Sequence, residues 1–161
     1  MTQTKVQGAA PNASILAVFW LPSGTFLLHT LEELPDFPAW VSTHFGAMGL
    51  LEFAAIHIPL IGVVLWTSYR AQDPDSPWGW RFMAYAFQWQ FAFNALFHLS
   101  ASAIFGDYSP GMVTAATVAL PATAFLTLFN RRHGLLPSGA ALGAVGVGAV
   151  IALAAVAFLF I

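Results

Sequence analysis

The fold follows from one stretch near the N-terminus of the chain, residues 15–33, which reads ILAVFWLPSGTFLLHTLEE. This stretch is apolar apart from a break at Pro22 and the imidazole of His29, and it ends in two glutamates. The apolar run is long enough to cross a membrane and longer than the hydrophobic region of a signal peptide. We therefore predict a transmembrane helix over about residues 13–34, kinked at Pro22 and ended by Pro35.

The composition of the whole chain supports this interpretation. The 161 residues are 58% hydrophobic and only 7% charged, with a mean hydropathy of +0.74, whereas soluble domains carry about 25% charged residues. The absence of cysteine excludes disulfides, iron–sulfur clusters and thiolate-bound zinc. The net charge of -2 argues against a nucleic-acid partner, because a phosphate backbone requires a basic surface.

Four further apolar segments follow, separated by short stretches rich in proline, glycine and charged residues. We predict an all-α membrane bundle of five transmembrane helices in a single domain over residues 13–161, after a disordered N-terminus at residues 1–12. The five helices are expected at about residues 13–34, 46–69, 82–105, 112–129 and 138–161.

The basic residues predict the orientation of the bundle. With the N-terminus inside and the C-terminus outside, every lysine and arginine falls on the cytoplasmic side, in agreement with the positive-inside rule. These residues are Lys5, Arg70, Arg81, Arg131 and Arg132. We expect a multi-pass protein of the bacterial inner (plasma) membrane.

The end of the first helix carries the motif His29-x-x-Glu32-Glu33. On an α-helix, Glu32 lies about 60° to one side of His29 and Glu33 about 40° to the other side. Three groups that bind protons or metals therefore share one sector of the helix. In the alternative interpretation, the two glutamates only mark the charged end of a membrane helix.

Two other helices place polar residues at a similar depth. Glu52 is expected about 9 Å and His98 about 10 Å inside the same membrane face, level with His29. Such residues usually face the bundle interior and pair with one another, which predicts a shared outward-facing pocket. Asn94 lies one turn from His98, whereas His57 is rotated about 140° from Glu52 and is expected to be a buried, hydrogen-bonded histidine.

Three motifs in this order resemble the HXXEE family of small bacterial multi-pass membrane proteins. They are His29-x-x-Glu32-Glu33, Asn94-x-x-x-His98 and Tyr108-x-Pro110-Gly111. The resemblance covers about residues 15–129. It implies that these positions matter and is compatible with a membrane-bound enzyme, but the family has no known function and supplies no reaction.

The site chemistry favours a metal-dependent membrane enzyme of hydrolase type. Two imidazoles with one or two carboxylates suit a divalent ion such as zinc, iron or manganese. The expected metal ligands are His29, Glu32, Glu33, Glu52 and His98, and a glutamate left unbound would act as general base. Asn94 and Tyr108 could polarise a carbonyl of a lipid or other amphiphilic small molecule that enters from the outer face.

Two other classes of function use the same residues. A buried glutamate beside a histidine could act without metal as an acid–base pair in a lipid isomerase or hydratase. A non-enzymatic protein could instead bind haem through His29 and His98, or relay protons or ions across the membrane.

Overall fold

The computed structural model describes residues 13–160. Within this range the chain is all-α, as the sequence predicts, and contains no strand. The predicted disorder of residues 1–12 lies outside the described residues.

Six helices make up the described part of the chain. The first, α1, runs through an α-helical turn Ala13–Leu16, a 3₁₀ turn Ala17–Trp20 and the α-helix Leu21–Glu33. The others are α2 (Phe37–His44), α3 (Leu50–Ala71), α4 (Gly79–Phe105), α5 (Met112–His133) and α6 (Ser138–Phe158).

Four of these helices are long and apolar enough to cross a membrane, namely α1, α3, α5 and α6. The helix α4 is longer, at 27 residues, but it carries four polar side chains, those of Gln88, Gln90, Asn94 and His98. Many of its side chains are buried by the other helices, so these polar groups are shielded within the bundle.

One additional helix and one helix boundary differ from the sequence prediction in ways that affect the site. The segment expected to be a connector contains α2, which begins with Phe37 and Pro38. Proline is tolerated in the first turn because the backbone N–H groups there have no acceptor within the helix. The helix α3 begins at Leu50, four residues later than the predicted residue 46. The depth of every residue on α3 changes accordingly.

Close packing and buried hydrogen bonds hold the helices together. At Gly148 of α6, an added Cβ would lie 2.6 Å from the carbonyl oxygen of Ala86 on α4, so the two backbones approach as only glycine permits. Gln88 of α4 is completely buried, and its side chain contacts Thr25 Oγ1 at 3.4 Å and donates to Thr123 Oγ1 at 3.0 Å. These contacts join α1, α4 and α5 in the middle of the bundle.

Candidate metal centre

The two glutamates of the HXXEE motif point in different directions from α1. His29 and Glu33 lie one turn apart on the same face of α1 and are both buried in the bundle. The Nε2 atom of His29 lies 3.4 Å from Oε1 of Glu33. Glu32 points about 100° away from Glu33 around the helix, because consecutive helical residues are separated by that angle.

His98 of α4 completes a buried group of three residues. Its Nε2 lies 3.3 Å from Oε1 of Glu33, and its ring centroid lies 4.9 Å from that of His29. His98 is fully buried, yet its Nε2 has no hydrogen-bond partner. The potential ligand atoms of His29, Glu33 and His98 all lie within 4.8 Å of one another, so this group could hold a metal ion.

A third imidazole, that of His57 on α3, faces the other oxygen of the same carboxylate. Its Nε2 lies 3.4 Å from Oε2 of Glu33, and its Nδ1 lies 2.8 Å from the carbonyl oxygen of Phe53. The sequence correctly suggested a hydrogen-bonded histidine but missed that His57 belongs to the cluster. Glu33 is therefore the centre of the site, with three histidines around it.

The outer nitrogens of the imidazoles are held by neighbouring groups. A carbonyl oxygen can only accept, so His57 donates its Nδ1 proton to Phe53. Thr114 donates its hydroxyl proton to Glu32 at 2.5 Å, so Thr114 Oγ1 accepts from His29 Nδ1 at 2.9 Å. In these two rings the neutral tautomer leaves the Nε2 lone pair directed toward the carboxylate.

A cation between these lone pairs and the buried carboxylate would be favourable. In this tautomer the Nε2 atoms of His29 and His57 and the carboxylate oxygens are all acceptors, and two acceptors 3.4 Å apart repel each other in a buried site. A shared proton or a metal ion removes the repulsion. Two ligands that each lie about 2.1 Å from a tetrahedral zinc ion are separated by about 3.4 Å, so the distances from His29 and His98 to Oε1 of Glu33 also suit a metal.

Glu32 lies outside this group, although the sequence suggested it as a metal ligand and a catalytic residue. Its carboxylate accepts the backbone N–H groups of Val113 and Thr114 at 3.0 and 2.7 Å, the Thr114 hydroxyl, and a short hydrogen bond from the phenol of Tyr108. Because helix N-termini favour negative charge and have free N–H groups, Glu32 caps α5 from α1. These hydrogen bonds hold the N-terminus of α5 beside the cluster.

Glu52 also lies away from the cluster, so its expected position beside His29 and His98 is wrong. It is exposed, and its Oε2 accepts the backbone N–H of Gly49 at 2.9 Å. Because α3 begins at Leu50, Glu52 occupies the third position of the first turn, where a glutamate commonly caps its own helix. The predicted pocket ligand is a local capping residue.

Asn94 and Tyr108 have different positions relative to the cluster. Asn94 reaches it, with its Nδ2 placed 2.8 Å from Nε2 of His29. Tyr108 lies at the edge and donates its phenol proton to Glu32. Partial burial and the Glu32 carboxylate raise the pKa of Tyr108 to about 12, so the phenol keeps its proton and stays a donor.

The loop between α4 and α5 closes the cluster on one side. Ser109 is buried and its Oγ lies 2.9 Å from Nδ1 of His98. Gly111 has φ = +102°, and a Cβ there would lie 2.7 Å from Cε1 of His29 and 2.8 Å from Cε1 of His98. Only glycine permits both this backbone conformation and this approach. The glycine of the Tyr-x-Pro-Gly motif thus packs directly on the two imidazoles.

The same loop is anchored to α2 through Asp107. Its Oδ1 accepts the indole N–H of Trp40 at 2.9 Å, and its Oδ2 lies 2.8 Å from Nε2 of His44. These hydrogen bonds hold the pKa of the Asp107 carboxyl below its usual range. The loop is therefore held by hydrogen bonds at two points, from Tyr108 to Glu32 and from Asp107 to α2.

A cavity of about 380 Å³ lies against the cluster. Its polar wall includes His29, Glu33, His57 and Asn94, and most of the remaining wall is apolar. His98 does not line the cavity. A molecule in the cavity would therefore meet Glu33 and His57 directly, with His98 behind them.

The fold and the site together define an all-α protein with membrane-type helices and a buried histidine–glutamate cluster. The family model described as a protein of unknown function with HXXEE motif matches residues 20–126, which is more than half of the chain. The chain belongs to this family. No curated protein and no solved structure matches it significantly.

Proposed function

We propose that this protein is a metal-dependent membrane enzyme that hydrolyses an amphiphilic substrate. The observation that carries the proposal is the convergence of imidazole nitrogens on the buried Glu33 carboxylate at the wall of an apolar cavity. Two histidines and one glutamate form a ligand set that zinc hydrolases use, and iron and manganese accept the same donors. His29, Glu33 and His98 would hold the ion.

The ion would supply an activated water and polarise a carbonyl group. His57 is the best-placed base for that water, because its Nδ1 is fixed by Phe53 while its Nε2 faces the carboxylate at the cavity wall. In ester hydrolysis, water adds its oxygen to the carbonyl carbon and gives a proton to His57. The carbon–oxygen bond to the alcohol then breaks, and His57 returns the proton to the leaving oxygen.

Asn94 would orient the substrate carbonyl. Its amide bonds to Nε2 of His29, and an ion held at that nitrogen would take the place of this bond. The freed amide group already lines the cavity, where an N–H donor can stabilise the negative charge that develops on a carbonyl oxygen.

We also propose that α4 is a fifth span, with the N-terminus inside and the cluster near the outer face of the bacterial plasma membrane. At 1.5 Å per residue, its 27 residues measure about 40 Å, more than a hydrocarbon core requires. This orientation leaves Arg70, Arg81, Arg131 and Arg132 on the cytoplasmic side. An amphiphile would then reach the cavity from the outer leaflet.

The first test is the metal content of detergent-purified protein. We expect close to one zinc, iron or manganese ion per chain, retained in Glu52→Gln and lost in Glu33→Gln and His98→Ala. Glu33→Gln preserves side-chain size, so it separates ligand loss from misfolding, which gel filtration of each variant checks. Wild-type protein that stays metal-free after reconstitution with all three ions would overturn the proposal, as would wild-type metal binding by Glu33→Gln.

The second test is hydrolysis of a fluorogenic medium-chain acyl ester. We expect activity that a chelator abolishes and the ion restores, and that His57→Gln reduces without removing the metal. Activity that persists in metal-free protein and requires Glu33 would favour the metal-free acid–base alternative instead.

A further inference from the structure

The cavity beside the cluster has one polar patch on an otherwise apolar wall. His29 and His57 both lie 3.4 Å from Glu33, and Asn94 lies 2.8 Å from His29, so these four side chains form a continuous surface. Apart from Gln90, the remaining lining is apolar and comes from α1, α2, α3, α4, α6 and neighbouring loop residues. The cavity therefore suits a molecule with one polar group and an apolar body.

One wall of the cavity comes from α6, which lies beyond the part of the chain matched by the family model. Its contribution to the lining consists of Ile151, Ala154, Ala155, Val156 and Phe158. The contact at Gly148 holds this helix against α4. The reactive groups and this wall are thus supplied by different regions of the sequence.

We propose that the cavity binds a single-chain or small-ring lipid, with its carbonyl at the polar patch and its apolar body against α6. In this proposal Ala154 and Ala155 determine how large that body can be. The identity of the ligand class rests on the proposed function, because the polar patch is the candidate metal centre.

The size of the cavity supports this class of ligand. At roughly 30 Å³ for each water-sized group, a volume of 380 Å³ holds about a dozen such groups. This is the size of one chain segment or a small ring system, and it is too small for both chains of a phospholipid. Alanine at two successive cavity-lining positions keeps space that larger side chains would fill.

The experiment uses the full-length protein in lipid nanodiscs and a fatty amide with a diazirine at the end of its chain. After irradiation, mass spectrometry locates the adducts. We expect them on the cavity-lining parts of α4 and α6, and we expect unlabelled fatty amide to compete with them. Labelling spread evenly over lipid-facing residues, without competition, would overturn the proposal.

Variants of α6 then test the size limit. Ala155→Leu and Ala154→Leu should each weaken competition by the amide about tenfold, equivalent to about 1.4 kcal/mol. Ala157→Leu is the matched control, because Ala157 is exposed on the same helix, as Ala154 and Ala155 are, but does not line the cavity. Equal competition in the two cavity variants and in the control would contradict the role of α6.

Metal analysis of the same samples separates this inference from the proposed function. Retained metal with unaltered competition in the α6 variants would refute only the size limit. Metal-free protein that still shows localised, competed labelling would refute only the metal enzyme and leave the lipid site in place.

Discussion

Replacing Gly111 by alanine tests whether the loop between α4 and α5 positions the histidines of the candidate metal centre. The new Cβ would lie 2.7 Å from Cε1 of His29, which is about 0.7 Å short of the 3.4 Å at which ordinary contact begins. Either an imidazole or the loop must move by that amount. A shift of this size is larger than the variation of about 0.2 Å that metal–ligand distances allow.

Gly106→Ala is the control for the backbone. Gly106 also has a positive φ, at +74°, but a Cβ there would meet nothing within 4 Å. Both variants should lose about 1–2 kcal/mol of stability, because alanine resists the left-handed conformation. Only Gly111→Ala should also displace the imidazoles.

We expect the zinc affinity of Gly111→Ala to fall about ten- to a hundredfold below that of Gly106→Ala, the range seen when groups that orient ligands are lost. Titration of the detergent-purified variants against a competing chelator measures this ratio. Equal affinities in two folded variants would refute the inference that the loop positions His29 and His98.

Other parts of the structure make further predictions. Gly148→Ala should destabilise the protein by about 1–3 kcal/mol in thermal unfolding, because its Cβ would meet the α4 backbone at 2.6 Å; Gly146→Ala, with nothing within 4 Å, should not. Glu32→Gln should cost about 1.5–3 kcal/mol through weaker bonds to α5, yet retain the metal, and metal loss in folded protein would contradict its capping role. The Trp40 indole lowers the pKa of Asp107. The Asp107 carboxylate should therefore stabilise the loop fully at pH values above the ordinary carboxyl pKa, and progressively less as the pH falls through its lowered pKa. Asp107→Asn should remove that step from thermal unfolding measured against pH.

The all-α character and the long helices were predictable because the apolar segments are long and separated by clear breaks. The predicted segments at residues 82–105 and 138–161 agree closely with α4 and α6. The helix α2 was missed because its eight residues follow Pro35, include Pro38 and are too short to cross a membrane. Proline in the first turn is compatible with a helix, and composition alone cannot separate this case from a connector.

The composition of the site was less predictable, because it depended on where α3 begins. Residue 46 as a starting point placed Glu52 deep in the bundle, whereas the true start at Leu50 places it in the first turn. His57 is seven residues from that start, and His98 is seven residues from the end of α4. Both are therefore about 10 Å from their helix ends, and the depth argument correctly matches His57 with His98 once the boundary is known.

The spacing of the HXXEE motif is explained by two separate tasks at one helix end. A residue four positions after His29 faces the same side of α1, and Glu33 therefore shares the buried cluster with it. A residue three positions after His29 is turned about 100° away from Glu33, and from there Glu32 reaches the N-terminus of α5. Thr114 connects the two tasks, because it donates to Glu32 and accepts from His29. Because Thr114 contacts both Glu32 and His29, the cap on α5 and the orientation of the His29 ring depend on one another.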